Sequence, residues 1–473
     1  MIRIKSTDLL ISLTSCLLCV IFGSIGHLVN MDLYIMMIYI ALIVWIGVKR
    51  RTVFLKYFFL IFGSSWQIIS VFAVENTNMY MPNLKQISYR TGSFFPLVLV
   101  NIIAFSFLLC IEARKKTNIK SATQFVKFLP FKKYKAGDYK RRTRYRLYAV
   151  AIGLLALVFV LDISRQNYYT SGASDRFYYS LALKAITYSF YGYLLFLYPI
   201  LTINAYKNGK AKPLWIFTFL YGLYILLIGQ KFGPFVQIFY FLLLTYYLPF
   251  KEELVKKYYK KILMGIFVIL ALGLIFSLWQ MSLEKGSIGA GLEQLRNRIF
   301  NGQGDIWWGI YSKYSSEGLH IGEISDEFAA FGNSNILQYD RNYGIYKMMK
   351  LVAPNSVVLY YSQRGARFTA STDASIYYYF GLFGLILFRM VLMIVAKFLV
   401  DHIVKACKKS HGLEAVLYVW LMTHYLNLYS MSSFDLPFSK SAILCYLLLL
   451  CLHFYYRKVP NKHLAINKQI GCN

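Results

Sequence analysis

The chain has 473 residues, 58% of them apolar and only 15% charged, with a mean hydropathy of +0.47. That composition excludes an ordinary soluble globular protein of this length. A formal net charge of +31 would point to nucleic acid in a soluble protein, but the placement of these charges along the chain has a different explanation.

Apolar runs of about 20 residues match the hydrocarbon thickness of a bilayer. They lie near 9–28, 30–48, 53–74, 93–112, 147–163, 183–204, 214–230, 233–248, 262–281, 376–400, 413–431 and 441–456. The first run lacks a small-residue cleavage site and is followed at once by another, so it reads as a span. Basic residues recur at every second connection: Arg3 and Lys5, Lys49 to Arg51, the 113–146 segment, Lys207 to Lys212, Lys256 to Lys261, Lys405 to Lys409, and Arg457 with Lys458. This is the pattern of cytoplasmic loops and places both termini in the cytoplasm. The 113–146 loop is basic enough to lie against anionic headgroups, which makes membrane lipid the partner of the charge and leaves no role for nucleic acid. Cys16, Cys19, Cys110, Cys445 and Cys451 fall in spans, and Cys407 and Cys472 on the cytoplasmic side, so no disulfide framework is implied. No Cys or His spacing suits a metal, and no cofactor motif occurs. The expected fold class is an all-α polytopic membrane protein of about 12 transmembrane helices, forming one membrane domain over 1–473.

On the outer side most connections are short. The 164–182 segment carries Arg165, Asp175 and Arg176 among tyrosines, and a Gly/Pro turn at 229–234 holds Lys231. One connection is different: 282–375, a large periplasmic or extracellular loop. Within it, Leu292, Leu295 and Ile299 recur at helical spacing beside Arg296 and Arg298, and YGIYKMMKLV is a second amphipathic helix ending at Pro354. Its aromatic content is too high for a disordered tether, so it should pack onto the outer face of the bundle.

Positive charge outside runs against the topology signal, which singles out Arg165, Arg176, Lys231, Arg296, Arg298, Arg364 and Arg367. An Arg fork matches phosphate oxygens, and the turn around Lys231 restricts its amine. The competing reading is that each cation snorkels to headgroups or pairs with a nearby carboxylate. Asp373, at the entrance to a span and six residues beyond Arg367, is the favoured general base; His320 is a weaker candidate, and Glu323, Asp326 and Glu327 read as a solvated helix face. Trp307 and Trp308, inside the loop, could stack on sugar rings, whereas most other aromatics fit an interfacial belt.

With these segments in view, the chain resembles the Wzy-type oligosaccharide repeat-unit polymerases of O-antigen and capsule. The resemblance rests on GQKFGPFVQIFYFLLL from Gly229, LRNRIFNGQGDIWW from Leu295, RGARFTASTDASIYYYFGLFGLI from Arg364, and on their order within a many-span topology. It implies a metal-independent glycosyltransferase-type polymerase in the bacterial inner membrane. The implied substrate is an undecaprenyl-pyrophosphate-linked oligosaccharide, with flippase and chain-length regulator proteins as partners. Asp373, Lys231 and Arg367 would be catalytic, and Arg165, Arg176, Arg296, Arg298, Arg364, His320, Trp307 and Trp308 would bind substrate. Related ligases and many of these polymerases show a His where this loop enters its span; this chain has Thr372 and Asp373 and no His, which leaves the base open. A flippase for lipid-linked sugars and an O-antigen ligase are the rival readings, the first disfavoured by few charges inside spans (Lys56, Arg389) and no visible repeat.

Overall fold

A computed structural model describes residues 6–25, 31–113, 148–157, 192–227, 232–329, 342–363, 367–368, 372–431 and 439–458. Almost all of these are helical, and the β-structure among them is one antiparallel ladder pairing Tyr80–Met81 with Gln86–Ile87. In chain order the principal helices begin with α1 (Ser6–Ile25), α2 (Asp32–Lys49), α3 (Arg51–Lys56), α4 (Phe58–Asn76) and α5 (Phe94–Ala113). There follow α6 (Tyr148–Leu157), α7 (Tyr198–Asn208), α8 (Lys212–Leu227) and α9 (Phe232–Leu242), the last continuing through a π turn at Leu243–Tyr247. The remainder are α10 (Tyr259–Lys285), α11 (Ile288–Phe300), α12 (Asp305–Tyr314), α13 (Gly344–Val352), α14 (Asn355–Gln363), α15 (Thr372–Lys408), α16 (Gly412–Met431) and α17 (Lys440–Lys458).

Among the described residues, six helices are long and apolar enough to cross a membrane: α1, α2, α4, α5, the α9 unit and α15. The protein is membrane-embedded. Leu13 and Leu17 of α1, Val44 and Val48 of α2, and Met264 and Phe267 of α10 all point outward with more than half their surface uncovered. Such a surface is a liability in water and is what lipid requires.

Ion pairs sort the helix ends into two sets. At one end Arg50 forks onto Asp8, tying the close of α2 to the start of α1. There too Lys56 lies 3.0 Å from Glu112 and 3.2 Å from Asp401, and Lys397 lies 3.0 Å and 2.7 Å from the same two carboxylates. Lys56, expected inside a span, is instead placed by a break at Tyr57 (φ −116°) between α3 and α4, in this four-charge cluster. At the opposite end Arg90 pairs with Asp32 at 3.6 Å, and the buried Glu75 carboxylate accepts from the backbone N–H groups of Thr91, Gly92 and Ser93. Those donors precede α5, where a helix start leaves N–H groups unsatisfied.

The segment expected as an outer loop from 282 starts later and goes deeper. Helix α10 continues to Lys285, and α11 runs back antiparallel along it after a cap in which the Ser287 hydroxyl accepts from Ala290 N. At the foot of α11 the carbonyls of Ile299 and Phe300 accept from Trp66 Nε1 and Ser70 Oγ, both at 3.0 Å. Ser70 is six residues from the end of α4, roughly 9 Å along its axis, so this foot lies well inside the bundle. The chain then turns at Gly304, where a Cβ would sit 2.8 Å from Val71, and α12 packs against α4, α13 and α15. Trp307 and Trp308 are buried at the start of α12, donating to the carbonyls of Ser93 (2.9 Å) and Tyr89 (3.1 Å).

Helix α15 is two helices joined at Gly381, whose φ of 64° and ψ of −167° are open to glycine and costly for other residues. Asp373 forks onto Arg389, sixteen residues further on. On a straight helix they would stand about 24 Å apart, beyond the reach of both side chains. The break therefore folds 372–380 back alongside the beginning of 382–408. Gly381→Ala is expected to destabilise the protein by about 1–3 kcal/mol. Gly265→Ala, at an open site in α10 with ordinary φ, should be close to neutral. Thermal unfolding of the two variants in detergent checks this; equal melting temperatures would refute the break.

Candidate functional site

The half-helix 372–380 starts inside the bundle, its N-terminal turn held by two contacts. Thr372 Oγ1 donates to the carbonyl of Leu428 on α16, and Asp373 takes the Nε and Nη2 edge of Arg389. Asp373 and Arg389 are each only 1% exposed. The guanidinium also lies over the Tyr429 ring, 4.3 Å from its centroid, and the Tyr429 hydroxyl bonds to Ser64 of α4. Four segments thus meet at one charged centre: the half-helix, the body of α15, α16 and α4. Arg389 lies eight residues past the break at Gly381, about 12 Å along the helix body. A buried pair of this kind adds little net stability, because desolvation offsets the attraction, yet removing one partner is severe.

The structure brings together few of the residues singled out by sequence. Lys231, Arg165, Arg176 and Arg364 lie outside the described residues. Arg367 is exposed, Arg296 is exposed on α11, and Arg298 is half-buried on the same helix. Asp373, expected as an accessible base, is instead enclosed with Arg389. The missed partner had been visible as a lone charge in an apolar run, but a spacing of sixteen is not a helical one, and only the Gly381 break connects the two. Trp307 and Trp308 are structural anchors: both rings are buried, and Trp307 packs edge-on to Tyr377 at 5.3 Å.

His320, by contrast, sits in a cluster above the break. Its ring stacks on Tyr378 with centroids 4.2 Å apart and an interplanar angle of 4°, and its nitrogens lie 3.4 Å from Glu317 and 3.6 Å from Glu323. Beneath it the buried Lys347 ammonium of α13 holds Glu323 and Asp326, each at 2.9 Å. The expected solvated face is therefore only partly so. Glu327 is buried, accepting from Gly344 N at the start of α13 and from the Tyr379 hydroxyl at 2.7 Å. The hydrogen bond from Lys347 keeps Glu323 below the usual carboxylate range. Burial alone would lower the Lys347 pKa, but the bonds to Asp326 and Glu323 outweigh it and raise the pKa. Among the described residues no group of three or more His, Cys, Asp or Glu is placed to hold a metal ion.

Two predictions follow from these charges. Arg389→Met, which takes the guanidinium away from the buried Asp373 carboxylate, should cost about 3–5 kcal/mol, whereas the double variant Asp373→Leu/Arg389→Met should recover most of that loss; a double-mutant cycle on detergent melting curves reads the coupling. The second concerns Asp305 at the start of α12, bonded by Asn83 (2.7 Å) and its neighbour Ile306 N (2.8 Å). Complete burial pushes its carboxyl up to about 6 despite those donors. A raised acid favours the neutral folded form, so its contribution is present below about pH 4 and lost as pH rises through 6, by about 3 kcal/mol. Stability should be higher at pH 4.5 than at pH 7.5, and Asp305→Asn should flatten that difference.

Comparison with known proteins gives one match. Residues 338–447 are similar to a family model described as "Family of unknown function (DUF6418)". That stretch includes α13 to α16 and the start of α17, and with them Lys347, Asp373, Gly381 and Arg389. No curated protein and no solved structure matches the chain.

Proposed function

We propose that the protein is a polymerase of the bacterial inner membrane, joining undecaprenyl-pyrophosphate-linked oligosaccharide repeat units into O-antigen or capsular polysaccharide at the outer face. The reading takes the chain to cross the membrane about twelve times with both termini in the cytoplasm. The clustering of Arg50, Lys56, Lys397 and Lys408 at one end of the bundle supports that orientation. The observation that carries the functional reading is the Asp373–Arg389 centre, a carboxylate and a fixed cation enclosed where the long loop enters its last long helix. Ionisable groups inside a membrane bundle are a default mark of function.

In this scheme a sugar hydroxyl of one lipid-linked unit attacks the anomeric carbon of the growing chain. A new C–O bond forms, the bond from that carbon to the phosphate oxygen breaks, and the lipid pyrophosphate leaves with the electron pair. The hydroxyl proton passes to a carboxylate, for which Asp373 is the candidate when an anion on the other edge of Arg389 loosens their pairing. The buried cation Arg389 stabilises the charge on the leaving oxygen, with Lys231 and Arg367 as the further candidates that the sequence offers; such contacts are typically worth about 100- to 1000-fold in rate. An O-antigen ligase would use the same chemistry on a different acceptor.

One observation favours a second reading. A helix broken inside the bundle, with an ion pair at the break, is the arrangement that carriers place around a substrate, so transport of the lipid-linked oligosaccharide is the alternative. Complementation of a deletion strain separates them. Asp373→Asn, Lys231→Ala and Arg367→Ala should each insert normally yet yield surface glycan of single capped repeats on a gel. Full-length polymer from all three would refute the site, and loss of all surface glycan with lipid-linked units retained inside would favour the carrier.

A further inference from the structure

Arg389 has a second edge. Its Nε and Nη2 face Asp373 and one face of the guanidinium is covered by Tyr429, but Nη1, on the edge away from Asp373, is buried without a hydrogen-bond partner among the described residues. The Ser375 hydroxyl, in the opening turn of the half-helix, is also fully buried and has no hydrogen-bond partner among the described residues. In an apolar bundle an unmet guanidinium N–H loses the hydration it would have in water, so an empty edge is expensive to maintain. A guanidinium offers two forks, one along Nε and Nη2 and one along Nη1 and Nη2, and the second matches a planar or tetrahedral oxyanion bidentately. The start of a helix, with its unpaired N–H groups, favours the same charge.

We propose that Arg389 is a two-sided clamp, holding Asp373 on one fork and a phosphate-class oxyanion of the substrate on the other. Asp373 is then a counterion that keeps the guanidinium in place between turnovers and weakens its grip on the anion. The proposal rests on the reading of the protein as one that handles lipid-linked diphosphates, but its test is a binding measurement and does not depend on polymer synthesis. It also assigns opposite roles to two residues that a purely structural ion pair would treat alike.

The test uses purified full-length protein in phosphatidylcholine nanodiscs, titrated calorimetrically with a short-chain polyprenyl diphosphate, inorganic pyrophosphate or short-chain phosphatidylglycerol. Wild type should bind a diphosphate saturably. Arg389→Lys, which keeps the charge and loses the fork, should weaken binding on the order of tenfold or more. Asp373→Asn, which removes the competing negative charge, should tighten it several-fold. Stronger binding of the polyprenyl form identifies a lipid-borne phosphate, equal binding of inorganic pyrophosphate identifies a free one, and a preference for phosphatidylglycerol identifies an ordinary headgroup; each upholds the clamp if Arg389→Lys abolishes the preference. Absence of saturable binding by wild type, meaning water alone fills the edge, would overturn the proposal, as would unchanged affinity in Arg389→Lys or weaker affinity in Asp373→Asn. Because each single variant breaks a buried pair, Asp373→Leu/Arg389→Met, which should fold, is titrated beside them; it should lose saturable diphosphate binding, and retained binding would overturn the proposal. If the binding pattern holds while glycan length is unaffected by Asp373→Asn, the clamp stands and the polymerase reading falls.

Discussion

The Asp373–Arg389 ion pair decides the shape of the loop-bearing half of the molecule. It spans the break at Gly381 and, with the Thr372 bond to Leu428, sets 372–380 back along the helix it precedes. Once that half-helix is fixed, Tyr377, Tyr378 and Tyr379 are fixed with it. They meet Trp307, Glu323 and Glu327 from the long loop. The loop is thus attached to the membrane bundle through the same short segment that carries the charged pair.

A second constraint comes from depth. Helix α11 descends along α10 until its last carbonyls reach the middle of α4, and α12 climbs back beneath the Tyr80–Ile87 ladder on two buried tryptophans. Backbone at that depth is tolerable only where protein satisfies it. Here Trp66, Ser70 and the Asn301 amide bonded to Tyr80 O do so. The loop is consequently part of the bundle's interior on one side and a cluster of carboxylates, His320 and Lys347 on the other.

Much of the bundle was legible in the sequence because hydrophobic length is a direct physical signal. The ends of α2, α5 and α16 fall within a few residues of the apolar runs, and the two amphipathic loop helices appear at Ile288–Phe300 and Gly344–Val352. The site was much less legible. Arg389 reads as an isolated charge in an apolar run, and Asp373 as a loop residue, because periodicity along one helix cannot express a contact made across a break. Gly381, within YYYFGLFGLI, was the only clue, and glycine is common enough in spanning helices that it does not stand out. The tryptophan pair was misleading for a related reason: an aromatic in a loop can be a platform or an anchor, and only burial tells them apart.

The central claim is that helix 372–408 folds back on itself so that positions 373 and 389 are neighbours at a buried centre. A thiol-specific cross-linker spanning about 10 Å, applied to a variant carrying cysteines at these two positions and read by mass spectrometry, tests it most directly. The folded-back helix predicts an efficient intramolecular link between 373 and 389. Failure to link them while both thiols react singly, as expected for a straight helix holding them about 24 Å apart, would contradict the account.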